Sequence, residues 1–314
     1  MSKMKNYIFL ALLLTGLVFT GCKKYVEGED ISPNSPSNVT EGLLLSGLEV
    51  ATFSNFGGDL SRVTSVLTQQ STGNLFQYED LAKYDITEST VSNIWNQLYS
   101  GSLINAQLLI DKAGDKNRHY RGIGRVLKAL NLGLATDLWG DVPNKEALGG
   151  LNGNFNAAFD SQESVIADIQ QTLDGAIADL QSTENVIAPG ADDYIFGGDA
   201  SKWLMNAYLL KARYANRLSK KDATGSANKA LEALNGAYAA GYTGNGSNLY
   251  AIFGPGVTES NQWYVFNQDR AGYVSMGSTL VGMMSAINDP RLAFYAAKDG
   301  SGNYSSESSI GAKY

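Results

Sequence analysis

Two stretches of this chain concentrate side chains that can hold a ligand without reacting with it. Residues 241–275 bring Tyr250, Trp263, Tyr264, Phe266 and Tyr273 together with Asn261, Gln262, Asn267, Gln268, Asp269 and Arg270. Residues 71–86 set Phe76 and Tyr78 beside Asn74 and Gln77. Flat indole and phenol rings stack on the C–H faces of sugar rings, while amides, carboxylates and guanidinium groups bond to the hydroxyls. Asn74, Phe76, Tyr78, Trp263, Tyr264, Arg270 and Tyr273 are therefore the candidate ligand-binding residues. The alternation Trp263-Tyr264-Val265-Phe266 also permits a short strand laid over helices, with one face in and one face out.

Reactive chemistry has fewer candidates. Asp137 and Asp141, four apart across Trp139-Gly140, are the best carboxylate pair for glycoside hydrolysis. Gly140 and Pro143 mark a helix end there, however, where Asp commonly bonds to turn amides. Asp192-Asp193 lies in a Gly/Pro-bounded loop and reads as solvated. The only histidine, His119, precedes a helix and reads as a surface residue, and the only cysteine is Cys22. One of each supplies no His cluster, no Cys-rich zinc site and no internal disulfide. Gly241-Tyr-Thr-Gly-Asn-Gly246 lacks the strand and the Lys-Ser/Thr of a phosphate cradle. No Gly-x-Ser-x-Gly elbow is present. The expectation is a binding protein with no catalytic set, no metal and no cofactor. A net charge of −7 argues against a nucleic-acid partner.

Cys22 has a chemistry of its own. Lys3 and Lys5 precede an apolar run of 12 residues, Ile8 to Phe19, which Thr20-Gly21-Cys22 follows. That run is shorter than the roughly 20 residues of a membrane span and fits a secretory signal with a small residue before the cut. A cysteine directly after that residue is the arrangement of a bacterial lipoprotein, in which acyl chains on Cys22 anchor the mature protein. Residues 1–21 are thus read as the signal and residues 22–39, rich in Pro, Ser and Asn, as a lipidated flexible tether. The remaining residues, 40–314, form one helical domain.

The elements that must position the aromatic stretches are helices. Thr40 can cap a helix to about Asn55, and Ser89 opens a longer one carrying Val91, Ile94, Trp95, Leu98, Ala106 and Leu109. Further amphipathic stretches cover 121–138, 162–180, 200–218 behind the cap Asp199, 226–239, and 276–287 before Asp289-Pro290. In 162–180, Ile166, Ile169, Leu173, Ile177 and Leu180 share one face, which leaves Asp168, Gln171, Asp174 and Asp179 mostly on the other. Trp95, Trp139 and Trp203 fall on stripes or at a helix end, as core or loop anchors. Gly101, Ser102, Ala106, Gly133 and Ala207 sit within stripes, where small residues let helix axes approach. The pattern is mostly α, a degenerate tetratricopeptide-like helical repeat with long ligand-binding loops and few short strands.

Several of these segments resemble one family. Ala135-Thr-Asp-Leu-Trp-Gly-Asp-Val-Pro143, Ile94-Trp95-Asn96-Gln97-Leu98-Tyr99 with Asn105, and Ile287-Asn288-Asp289-Pro290-Arg291-Leu292 resemble, in order, hallmarks of the SusD/RagB nutrient-binding lipoproteins of Bacteroidetes. The lipobox at Cys22 and the Pro/Asn-rich lead are similar too. The acidic Glu27-Gly-Glu-Asp30 cluster resembles that group's surface-export signal. The resemblance implies a lipid-anchored outer-membrane protein facing the exterior. Such a protein captures oligosaccharides, or in some relatives peptides, and passes them to a SusC-like TonB-dependent transporter without catalysis. Family members continue beyond the Asp289-Pro290 turn. The resemblance therefore implies a domain incomplete at its C-terminus and residues 23–314 that are unstable by themselves.

Overall fold

The computed structural model describes residues 39–305. The signal, the lipidation site Cys22 and nearly all of the tether lie outside the described residues. The structure is about 60% helical. The helices begin with α1 (Glu41–Gly57), α2 (Asp59–Leu67), α3 (Gln77–Ala82), α4 (Glu88–Asn96), α5 (Ile104–Ala113) and α6 (Arg118–Trp139). They continue with α7 (Gln162–Leu180), α8 (Ala200–Asn216), α9 (Ala223–Ala239), α10 (Gln262–Asp269), α11 (Ser278–Ala286) and α12 (Leu292–Tyr295). Strands β1 (Ser71–Gly73), β2 (Val142–Pro143), β3 (Phe159–Asp160) and β4 (Val274–Met276) pair in two antiparallel ribbons, β1 with β4 and β2 with β3. No described helix is long and apolar enough to cross a membrane.

Helix boundaries follow local signals. Ser161 caps α7 by accepting from the Ser164 amide, Asp199 caps α8 from Ser201 and Lys202, and Asp222 caps α9 from Gly225. The helix opening near Ser89 is one rod from Glu88 to Ala113 with a π-helical stretch, Gln97–Leu103, in its middle. Side chains loosen the ladder there: Ser100 and Ser102 donate to the carbonyls of Asn96 and Leu98, and Asn105 to that of Gly101.

The core lies where α6 packs on α7, α5 and α8. The stripe Ile166, Ile169, Leu173, Ile177 and Leu180 is buried, as is Trp203 on α8. Trp95 meets Trp139 edge to face and stacks with Phe159, anchoring the β2–β3 ribbon to the end of α6. At the α6–α8 crossing, a Cβ on Gly133 would lie 2.1 Å from the Tyr214 hydroxyl oxygen. Tyr214 is itself buried and cannot move aside. Gly133→Ala is therefore expected to cost about 1–3 kcal/mol by overpacking, read as a lower urea midpoint; an unchanged midpoint would mean that the helices separate freely.

Buried polar groups tie the helices. Asn55 on α1 donates to Ser102 Oγ and to Asn131 Oδ1, and Asn131 donates to Thr52 Oγ1. Three sequence expectations are corrected here. Asp179, expected on the outer face of α7, is 1% exposed because Arg121 and Arg125 of α6 close over it. Asp193, expected to be solvated, is buried: its carboxylate accepts from the amides of Ile195, Phe196 and Gly198 and from Trp203 Nε1. Its neighbour Asp192 accepts from the Tyr120 hydroxyl. His119 is half-buried, with Nε2 2.8 Å from the Ser182 carbonyl oxygen. For Asp179, Asp192 and His119 a distant segment supplies the partner, whereas Asp193 is satisfied by its own turn and by Trp203 of the helix that follows; in each case the partner lets the polar group leave water.

Candidate functional site

The two aromatic stretches, about 200 residues apart in sequence, meet through the β1–β4 ribbon. Ser71 pairs with Met276, Thr72 with Ser275 and Gly73 with Val274. Asn74 extends the pairing: its amide donates to the Tyr273 carbonyl at 2.9 Å, and its side chain to the Gly272 carbonyl and Ser275 Oγ. The chain then folds back into α3 so tightly that a Cβ on Gly73 would fall 1.7 Å from the Tyr78 carbonyl oxygen. Only glycine fits there.

Phe76 sits at this bend with φ +53, a left-handed backbone that a bulky residue adopts only when its surroundings enforce it. Gln69 and Tyr84, also at positive φ, hold the same segment: Gln69 donates to the Tyr84 hydroxyl and accepts from Thr279. The result is a ring 66% exposed and stacked on Tyr273, with centroids 5.1 Å apart and planes at 28°.

Beneath that pair the rings continue inward. Tyr273 meets Phe266 edge to face at 6.1 Å, and Phe266 meets Tyr78 at 5.2 Å. Arg62 of α2 lies 4.5 Å over the Phe266 ring, and the exposed Arg270 lies 5.7 Å from it. Arg62 Nε donates to the Tyr78 hydroxyl, which donates to Asp59 Oδ1. Burial raises the Tyr78 pKa above the usual phenol value. Tyr78 is only 3% exposed and supports the platform from below, presenting no face to a ligand. Asn74 likewise staples strands.

Trp263 and Tyr264 do not form the permitted strand. They begin α10, because Asn261 accepts from the Trp263 amide and caps a helix, while β4 supplies the partner of β1. Trp263 is half-buried, its Nε1 donating to Ser61 Oγ at 2.5 Å, and Tyr264 is exposed. Exposed Phe76 and Arg270 thus gather with the half-buried Tyr273 at one platform, with Tyr264 on the helix leading to it. Asp59 and Arg62 were not singled out from sequence. Their spacing of three on one helix was the available signal.

A polar cleft of about 270 Å³ adjoins Tyr78, lined by Asp59, Gln77, Asp80, Asp85, Thr87 and Asn93 among others. Among the described residues, no group of three His, Cys, Asp or Glu side chains is placed to hold a metal. The carboxylate pair considered for hydrolysis is occupied. Asp137 accepts from Arg217 at 2.6 Å, and Asp141 from the first amide of α7, that of Gln162, at 2.8 Å.

The family model described as starch-binding and associating with the outer membrane, SusD-like, matches residues 33–313. The chain belongs to the SusD-like family. Solved SusD-like structures share its helical fold. A SusD/RagB family protein from Bacteroides thetaiotaomicron is 30% identical with a TM-score of 0.73, over 82% of this chain and 54% of that one. A SusD-like protein from the same species is 23% identical, TM-score 0.68, over 85% and 55%. A chitin-binding SusD homolog from Flavobacterium johnsoniae is 18% identical, TM-score 0.66, over 85% and 61%. This SusD-like chain spans about half the length of the solved structures it matches. No curated sequence matches it.

Proposed function

We propose that this SusD-like protein is a non-catalytic, carbohydrate-capturing protein of the outer membrane, lipid-anchored through Cys22 and facing the exterior. In this reading it passes oligosaccharides to a SusC-like TonB-dependent transporter. The observation that carries the binding role is the exposed Phe76 ring stacked on the half-buried Tyr273, held by a strained but over-determined turn and flanked by Arg270. A preformed flat face costs little ordering entropy when a pyranose lands on it. The family's starch-binding description points to the same ligand class. The commitment of Asp137 and Asp141 to Arg217 and the α7 amide supports capture without hydrolysis.

The test is titration of the full-length protein in detergent with a panel of neutral oligosaccharides and peptides, with products assayed in the same tubes. Saccharide binding without new reducing ends is expected. Phe76→Ala and Tyr273→Ala should each weaken it about tenfold, as loss of a central aromatic contact does. Release of reducing sugar would overturn the non-catalytic reading. Binding of peptides alone would move the ligand class to peptides.

A further inference from the structure

A second cavity, of about 620 Å³, lies between α1 and the segment leading into α10. None of its walls belongs to the Phe76–Tyr273 platform. Phe53 and Ser54 come from α1, Tyr194 from the loop before α8, and Phe253, Glu259 and Gln262 from the approach to α10. We propose that this groove is a second carbohydrate subsite, one that accepts neutral sugar units and rejects acidic ones. The proposal rests on the capture function above and adds to it a location and a charge selectivity.

The walls have the composition a sugar needs. Phe53 and Phe253 meet edge to face, centroids 6.4 Å apart. Phe253 keeps 38% of its surface exposed, and Tyr194 is more exposed still. Rings that pack on one side and face an open groove on the other offer their faces to C–H groups. The volume falls within the roughly 300–1,000 Å³ of small-ligand pockets.

The frame is rigid. Gln262 Nε2 donates to Ser54 Oγ at 2.8 Å, fastening the first turn of α10 to α1 across one end of the groove. The Tyr194 amide donates to Glu49 Oε2 at 2.7 Å, and Asp193 beside it gathers three amides and the Trp203 indole. Tyr194 is therefore held on buried groups although its ring is in water. The segment carrying Phe253 and Glu259 is closed by hydrogen bonds from the Gly254 amide to the Glu259 carbonyl and from the Glu259 amide to the Gly256 carbonyl. A frame held before binding loses little freedom on binding.

Charge sets the selectivity. Glu259 is the only ionisable side chain in the lining besides the Tyr194 phenol, and among the described residues no cation pairs with it. A carboxylate facing the groove accepts hydrogen bonds from neutral hydroxyls. It repels uronates, phosphorylated sugars and the terminal carboxylate of a peptide. The platform differs: there Arg270 and Arg62 bring positive charge to the rings.

The experiment uses the full-length protein in detergent and isothermal titration. The probes are α-glucan, β-glucan, chitin and mannan oligosaccharides, with oligogalacturonate as the acidic member. For a neutral oligosaccharide that binds the wild-type protein, Phe253→Ala should weaken binding about tenfold, multiplying the loss from Phe76→Ala. Glu259→Lys, at an exposed position where folding is not at stake, should raise affinity for oligogalacturonate at least tenfold. If both groove variants bind every probe as wild type does, while Phe76→Ala loses binding, the groove is no subsite and the capture function stands. If no saccharide in the panel binds the wild-type protein, the capture function falls and this proposal falls with it.

Discussion

Asp179→Ala should remove about 1.5–3 kcal/mol of folding stability, because half-buried Arg121 and Arg125 lose their charge-assisted hydrogen bonds to it, although Arg121 keeps Asp115. Arg121 reaches the carboxylate with two donors, Nε at 2.9 Å and Nη2 at 2.6 Å, and Arg125 Nη1 adds a third at 2.5 Å. Arg118 stands 3.8 Å away. Such forked, charge-assisted bonds are roughly twice as strong as neutral ones. Hydrogen bonding to Asp179 is the main reason Arg121 binds its proton more tightly than a free guanidinium. Since all three arginines sit on α6 and Asp179 sits on α7, the cluster is the polar lock of the main helix pair. Urea denaturation of the full chain reads the loss, and 0.5 M salt should change it little, because buried pairs are weakly screened. A loss below about 1 kcal/mol would place the cluster with solvent-exposed ion pairs instead.

Glu49→Gln should stabilise the protein at neutral and alkaline pH and flatten its stability-against-pH curve. Glu49 is fully buried on α1. Its Oε2 accepts from the Tyr194 amide, while Oε1 has no donor and lies beside Asp193. Burial first, then the neighbouring Asp193, pushes its pKa up to about 9. The folded protein therefore keeps a proton on Glu49 that the unfolded chain releases near its ordinary value of 4.5. Between those two values the folded state binds more protons, so stability falls as pH rises. The favourable contribution is complete below 4.5 and gone once pH passes 9. The slope from this group is up to about 1.4 kcal/mol per pH unit. Glutamine keeps a donor toward Asp193 and an acceptor for Tyr194 without the titration. Thermal melts of both proteins from pH 5 to 9 test this, and parallel curves would show that Glu49 does not titrate in the window.

Much of the helical frame was legible from residues 40 to 290. The bounds of α7 agree with the stripe from Ile166 to Leu180, and Asp199 caps α8 as its position before Ala200 predicts. Sequence also singled out the rings of both aromatic stretches and expected Asp137 and Asp141 on backbone amides; Asp141 does accept one, from Gln162, whereas Asp137 pairs with Arg217. These signals are local: a 3.6-residue period and a cap act within a few residues of chain, whatever packs around them.

Tertiary structure decided the rest. Strands of three residues carry no readable period, and β1 exists only because β4 lies beside it, about 200 residues later. That pairing puts Phe76 on Tyr273 and turns two aromatic stretches into one platform. Asn261 and the occupied edge of β1 made Trp263-Tyr264-Val265-Phe266 a helix where alternation permitted a strand. Tyr78, Asp179 and Glu49 were drawn inside by partners on other segments, Arg62, Arg121 and the Tyr194 amide. A polar group's own sequence neighbourhood says it should remain in water. Only a donor or counter-charge brought from elsewhere in the fold offsets its desolvation, so burial of this kind is decided by tertiary contacts alone.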